Sequence, residues 1–249
     1  MRFSLKTWIR KLRFFGTRYN CPICDSNLRH FRPYGFKFPV LAEKKVIGGG
    51  YRLNARCPVC KSADRERLLY LYLSNKTGIF EKPVKLLHVA PEPGLSKVFR
   101  RQKNIDYLTA DLNSDSVMRR MDITQIDCPD GCFDVIICNH VLEHILDDRR
   151  AMRELHRVLK PGGWGILQVP LSLVLDETFE DSSVVTPSQR EVVFGQSDHV
   201  RIYASDYTDR LREAGFQVNA FEWWQDEGFA VDDNKYGLLE DERIFIVCK

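Results

Sequence analysis

The forty residues from Cys132 to Leu171, CFDVIICNHVLEHILDDRRAMRELHRVLKPGGWGILQVPL, leave this chain few folds to choose from. Phe133 to Cys138 is an apolar run of strand length, and Asn139-His140 is a short polar crossing. Apolar residues then recur at helical spacing as far as Lys160, Pro161-Gly162-Gly163 predicts a stop, and a second apolar run begins at Trp164. Two continuously apolar strands joined by a crossover helix form a βαβ unit, which belongs in a parallel sheet covered on both faces. Ligands of such sheets sit beyond the carboxyl ends of the strands. Asn139 and His140 occupy one of those ends.

The same alternation extends in both directions. Residues 86–90 (LLHVA), 106–112 (DYLTADL) and 117–123 (VMRRMDI) read as strands, with a helix over 94–102. Residues 172–204 read as a long polar, mostly irregular insertion, a length that suits a lid or binding loop. A helix over 205–214 ends at Gly215, and strands over 216–224 and 243–249 close the sheet. At 249 residues the chain can bury one α/β core and carry a small extra module.

That module lies in front. Residues 1–67 hold sixteen Lys/Arg against four Asp/Glu, whereas residues 68–249 hold twenty-one against thirty. Within the basic part, Cys21-Pro22-Ile23-Cys24 and Cys57-Pro58-Val59-Cys60 form two C-P-x-C knuckles. Two thiolates at this spacing reach one tetrahedral ion, so Cys21, Cys24, Cys57 and Cys60 predict a structural Zn²⁺ in a ribbon spanning 21–62. A site with all four positions filled by cysteine has none open for catalysis. The knuckles stand thirty-two residues apart, longer than the usual ribbon spacer, so extra strands or a loop are expected around 46–51. Cys128, Cys132, Cys138 and Cys248 show no matching spacing and read as ordinary thiols.

Residues 1–20 carry six basic residues and no acid, with Phe3, Leu5, Trp8, Ile9, Leu12 and Phe15 at mainly helical spacing. This suits an interfacial helix on anionic lipid, an arm on RNA, or a helix docked on the protein itself. A helix over 63–78 links the ribbon to the sheet domain, 63–249. No apolar run approaches the length of a membrane span, and no signal peptide is evident. The expectation is a cytoplasmic protein that the basic residues 1–67 could hold at the inner face of a membrane. Oligomeric state is left open.

The run FDVIICNHVLEHILDDRRAMRELHRVLKPGGWGILQVP resembles the signature of class I S-adenosylmethionine-dependent methyltransferases of the small-molecule type. The resemblance extends over roughly residues 84–249. It implies a Rossmann-like α/β fold with a seven-stranded sheet whose last strand is antiparallel, and S-adenosylmethionine as cofactor. LLHVAPEPGLSKVF takes the place of the family's glycine-rich motif, with His88 where an acid is usual and Ala90 and Glu92 where glycines are; Gly94 is retained. By the same resemblance, His88, Ala90, Glu92 and Gly94 face the methionine end of the cofactor. Asp111 with Leu112 takes the ribose hydroxyls, Asp122 with Ile123 the adenine, and Asn139 lies beside the methyl group.

His140 and His199 are the catalytic candidates, because a histidine is a natural base for an acceptor hydroxyl or amine. Arg201 and Tyr203 are expected to help hold an anionic or sugar-like acceptor. His140 to His144 also matches H-x-x-E-H, a protease metal motif, but that motif needs one continuous helix and His140 directly follows a strand. The favoured reading is a methyltransferase acting on a small-molecule, glycan or lipid-linked acceptor. The alternatives are an RNA methyltransferase whose ribbon binds RNA, and a binding protein that has lost the cofactor.

Overall fold

The computed structural model describes residues 5–229 and 233–249; Phe3 of the basic front segment lies outside them. The front of the chain runs α1 (Leu5–Arg13), β1 (Phe15–Cys21), β2 (Ser26–Leu28), β3 (Arg32–Tyr34), α2 (Pro39–Glu43), β4 (Val46–Ile47) and β5 (Arg52–Arg56). The linking helix α3 (Asp64–Lys76) leads to β6 (Val84–Val89), α4 (Pro93–Phe99), β7 (Ile105–Asp111), β8 (Arg119–Arg120), β9 (Phe133–Asn139), α5 (Asp148–Val158) and β10 (Leu159–Gln168). The rest comprises β11 (Leu171–Ser172), β12 (Phe179–Glu180), α6 (Pro187–Phe194), β13 (Arg201–Ile202), α7 (Tyr207–Glu213), β14 (Gln217–Glu222) and β15 (Arg243–Cys248).

Seven strands form one sheet in the order β14-β15-β10-β9-β6-β7-β8. β15 is antiparallel to both its neighbours, while β10, β9, β6, β7 and β8 run parallel. This is the Rossmann-like α/β sheet with an antiparallel last strand that the sequence predicts. The chain winds outward from β6 through β7 to β8, then returns to β9 and winds the other way through β10. Between β6 and β9 the order reverses, and the crevice beyond their carboxyl ends is the natural ligand position. Val89 and Leu167 both pair with Cys138 there. Each face of β9 feeds a different core: Phe133, Ile136 and Cys138 pack with the α5 residues Ala151, Met152, Leu155 and Val158, while Val135 and Ile137 pack with α3 and α4.

Several elements depart from the sequence reading. The helix expected directly after Asn139-His140 begins only at Asp148, where Asp147 accepts a hydrogen bond from the Arg150 N–H; Leu142–His144 is a single 3₁₀ turn. Pro161-Gly162-Gly163 is an irregularity inside β10, whose register with β9 shifts between Leu159 and Trp164. A proline is tolerated where the ladder is broken. The third strand shrinks to Arg119–Arg120 at the sheet edge.

The largest departure is in 172–204. It holds two short strands and the helix α6, capped by Thr186 and Gln189 in a reciprocal capping box, with Pro187 in its first turn and Gly195 left-handed at its end. The long spacer of the ribbon packs against it: β4 pairs with β11, and Val40, Leu41 and Val46 form one apolar cluster with Phe194 and Ile202. Together these two insertions cap the carboxyl ends of the central strands. Gly195 has φ +83°, and a Cβ there would lie 2.4 Å from Leu41 Cδ2. Gly195→Ala should therefore destabilise the protein by about 2–4 kcal/mol, from left-handed strain plus overpacking, read as a lower denaturant midpoint.

Candidate active site

β6 ends in a sharp turn. Ala90 has φ +46°, so the chain makes a left-handed turn without the glycine that usually permits it. His88, one turn deeper, is fully buried: Nε2 faces the Glu92 carboxylate at 2.8 Å and Nδ1 the Tyr107 hydroxyl at 2.8 Å. Both ring nitrogens are thus engaged inside the protein. Glu92 also accepts from Asn139 Nδ2 at 3.0 Å, and despite burial the contacts from His88 and Asn139 hold its carboxyl below the usual range. Gly94 faces inward, where a Cβ would meet Glu66 Oε2 at 2.7 Å. Its small size accommodates α3.

The main cleft, about 510 Å³, opens beyond β6, β7 and β9. Of the residues singled out in the sequence, Ala90, Asp111, Leu112, Asp122, Ile123 and His140 line it. The Asp111 and Asp122 carboxylates are each fixed through one oxygen: Asp111 Oδ1 accepts from the Asn113 and Ser114 N–H groups, Asp122 Oδ1 from the Thr124 N–H and hydroxyl. Met121, Val141 and Ile145 add apolar wall. His88, Glu92, Gly94 and Asn139 lie outside this lining; Glu92 and Asn139 border a small internal void behind His140, with Arg65, Gln168 and Glu242.

His140 stands where spaces meet. It lines the main cleft, the internal void and a second cavity of about 220 Å³ that also includes Tyr34, Phe36, Gly48, Gly49, Arg65, His144 and His199. Its φ of +54° is strained for a histidine and is fixed by its N–H donating to Gln168 O at 2.7 Å. Nδ1 lies 3.4 Å from Glu143 Oε1, and Nε2 is buried without a hydrogen-bond partner. Burial lowers the pKa of His140 and brings that of His199 down to about 4, so both are neutral at pH 7. Glu143, fully buried, stays ionised: His140, His144 and His199 hold its carboxyl down at about 2. Glu143 and His144 lie ahead of α5 and do not belong to its first turn.

Arg201 and Tyr203, expected to help hold the acceptor, are buried and bonded within the protein. Arg201 is buried and donates to the Leu142 and Leu146 carbonyls and to Glu180, while Tyr203 donates to Asp148. They hold the 3₁₀ turn and α5 in place.

The four ribbon cysteines come together, with all Sγ atoms within 4.8 Å of one another. The Cys21–Cys60 and Cys24–Cys57 pairs are 3.6 and 3.8 Å apart, close to the edge of about 3.8 Å of a tetrahedron with Zn–S bonds of about 2.3 Å. Ser62 Oγ lies 3.1 Å from Cys60 Sγ, and the Cys60 N–H donates to Cys57 Sγ. The donor set and its spacing fit a structural zinc.

The sequence reading missed Arg65 and Arg190. Arg65, on α3, donates to Gly48 O and reaches both the void and the second cavity; Arg190, on α6, lines the main cleft. The capping box at Thr186-Pro187-Ser188-Gln189 was the available signal for the helix that brings Arg190 in.

A doubly wound sheet with acidic residues at the ends of successive strands defines a nucleoside-binding type of α/β protein. Residues 83–167 match the methyltransferase domain family. Over 96 residues the chain is 30% identical to the arsenite methyltransferase of Aquipseudomonas alcaligenes, covering 38% of this chain and 25% of that protein. Over 101 residues it is 27% identical to a probable S-adenosylmethionine-dependent methyltransferase of Mycolicibacterium smegmatis, covering 41% and 35%. The chain thus spans about a third or less of the length of these relatives. An S-adenosylmethionine-dependent methyltransferase structure from Mesorhizobium loti aligns at 14% identity and TM-score 0.49, over 74% of this chain and 96% of that one. The likeness to S-adenosylmethionine-dependent methyltransferases lies in the sheet domain, over residues 83–167 for the family.

Burial, with the nearby Glu92 charge, pushes the Glu66 carboxyl up to about 8 from 4.5. A raised carboxyl contributes stability that is fully present below about pH 4.5 and is lost as pH rises through about 8. Glu66→Gln keeps an acceptor for the Ala63 N–H and removes the titration. Denaturant melts should show a smaller loss of stability between pH 5 and 8 than in the parent.

Proposed function

We propose that this protein transfers the methyl group of S-adenosylmethionine to a small hydroxylated acceptor of the sugar type. The observation that carries the reading is the position of His140 as a shared wall between a cleft bearing Asp111 and Asp122 and a second, smaller cavity. S-adenosylmethionine, when bound, supplies a methyl group on a sulfonium, which is displaced in line. Asp111 offers its second oxygen to the ribose, Asp122 meets the adenine edge with Ile123 against the ring, and the left-handed turn at Ala90 gives the backbone its approach.

Glu143 faces His140 Nδ1 and so favours the tautomer that leaves Nε2 free to accept the acceptor's proton. With its pKa lowered by burial, His140 stays neutral, and so a base, at pH 7. The second cavity mixes Tyr34 and Phe36 with imidazoles, which suits the apolar face and hydroxyls of a sugar ring. Zinc in the four-cysteine site would hold the ribbon, and with it the spacer that walls this cavity.

The front of the chain supports attachment to anionic lipid. α1 exposes Leu5, Trp8, Ile9 and Leu12 beside Lys6, Arg10 and Arg13, with Lys11 tied to the Cys24 and Asp25 carbonyls. An arm for RNA has no need of four exposed apolar side chains; an interfacial helix does. Among the described residues no helix is long and apolar enough to cross a membrane.

Asp111→Ala should abolish calorimetric binding of S-adenosylhomocysteine; unchanged affinity would count against the cofactor reading. His140→Asn, which tolerates the left-handed backbone, should keep that affinity and lose about 10²–10⁴-fold in methyl-transfer rate, with the activity screened on glycan and RNA fractions. Trp8→Glu with Leu12→Glu should abolish flotation with phosphatidylglycerol vesicles, and retention would overturn the lipid reading.

A further inference from the structure

The cluster behind the 3₁₀ turn has more ligating capacity than a single base requires. Glu143 is 1% exposed, and neither carboxylate oxygen has a hydrogen-bond partner among the described residues. A buried carboxylate left this way is costly unless something cationic meets it. Its nearest donors stand off: His140 Nδ1 is 3.4 Å from Oε1, and His144 Nε2 is 4.0 Å from it. His199, from the loop after α6, packs edge-on against His144 with ring centroids 4.7 Å apart. One ligand atom each from Glu143, His144 and His199 lie within 4.8 Å of one another.

We propose that Glu143, His144 and His199 bind a divalent first-row metal ion, in a site separate from the ribbon. Two imidazoles and one carboxylate are the donor set of open metal sites, which hold Zn²⁺ or Fe²⁺ and keep further positions for a ligand. Bonds of about 2.0–2.2 Å need the three side chains to close by on the order of 1 Å. His144 and His199 both line the second cavity, so the open positions face the acceptor and not the ribbon. His144 also borders the main cleft, which puts the ion at the junction of the two spaces.

Three neighbouring features fit this assignment. The carboxylate has two oxygens, so one can bind the ion while the other keeps its place against His140. Asp198 Oδ2, 3.2 Å from His144 Nδ1, can hold that ring so that Nε2 turns toward Glu143. The H-x-x-E-H run contributes here through its last two residues, and the third ligand comes from fifty-five positions on; His140 stays free as the base. The role of the ion rests on the methyl-transfer reading: an acceptor hydroxyl held by the metal becomes acidic enough to release its proton to His140 Nε2 near neutral pH.

The test loads the full chain with Co²⁺ and counts metal per chain alongside the visible spectrum. The proposal expects two equivalents: one with strong thiolate charge-transfer absorption from the ribbon, and one with only the weak bands of nitrogen and oxygen donors. His199→Asn and Glu143→Gln should each lose the second equivalent alone, the ribbon spectrum serving as the check of folding. A parent protein lacking a nitrogen and oxygen site overturns the proposal whatever the variants do, and so does a second equivalent that persists in both. S-adenosylhomocysteine calorimetry on the same samples separates the two readings: loss of cofactor binding with metal retained counts against methyl transfer, not against the site.

Discussion

Arg67 carries a positive charge with no exposed surface, and much of the molecule is arranged around keeping it satisfied. Its guanidinium donates to the carbonyls of Ala55 and Ser62 in the ribbon and of Tyr236 and Gly237 near the chain's end, and it lies over the Phe31 ring at 3.7 Å. Carbonyls orient a guanidinium but do not neutralise it. Burial lowers its pKa, and the field of Cys21, Asp64, Cys57 and Cys60 offsets this. Four thiolates around one divalent ion would leave a net negative charge, so a metal-loaded cysteine cluster and Arg67 would stabilise each other. One side chain at the start of α3 thereby ties the front module and the linking helix to the segment between β14 and β15.

The consequence reaches the active site through a short piece of chain. The spacer between the two knuckles leaves the ribbon, pairs β4 with β11, and brings Gly48 over His140, where a Cβ would lie 3.2 Å from the ring. The front module is thus a wall of the smaller cavity, and a structural metal in it would shape that cavity without lining it.

How much of this was legible follows from burial. Parallel strands buried on both faces are apolar throughout, so β6, β7, β9 and β10 could be read directly, and with them the strand ends that carry Asp111 and His140. The cysteine knuckles were legible because metal ligation fixes both residue type and spacing. A pairing of two residues, such as β4 with β11, leaves no periodic trace, and the strand read at 117–123 keeps only Arg119–Arg120 in the ladder. Nor does periodicity say that His88 spends both ring nitrogens inside the core, or that Gly94 is small for the sake of Glu66, since each depends on a partner distant in the chain. The capping box ahead of α6 was readable and would have replaced a predicted loop by a helix.

The two halves of the site have different origins along the chain. The main cleft is built largely from residues within the segment that carries the family likeness, 83–167, whereas the smaller cavity draws Tyr34, Phe36, Gly48, Gly49, Pro170, Gln196 and His199 from either side of it. Changes in the spacer and in the capping insertion can therefore reshape the smaller cavity while the sheet stays as it is. In such a protein the part of the site that carries the family likeness and the part that does not are neighbours in space and strangers in sequence.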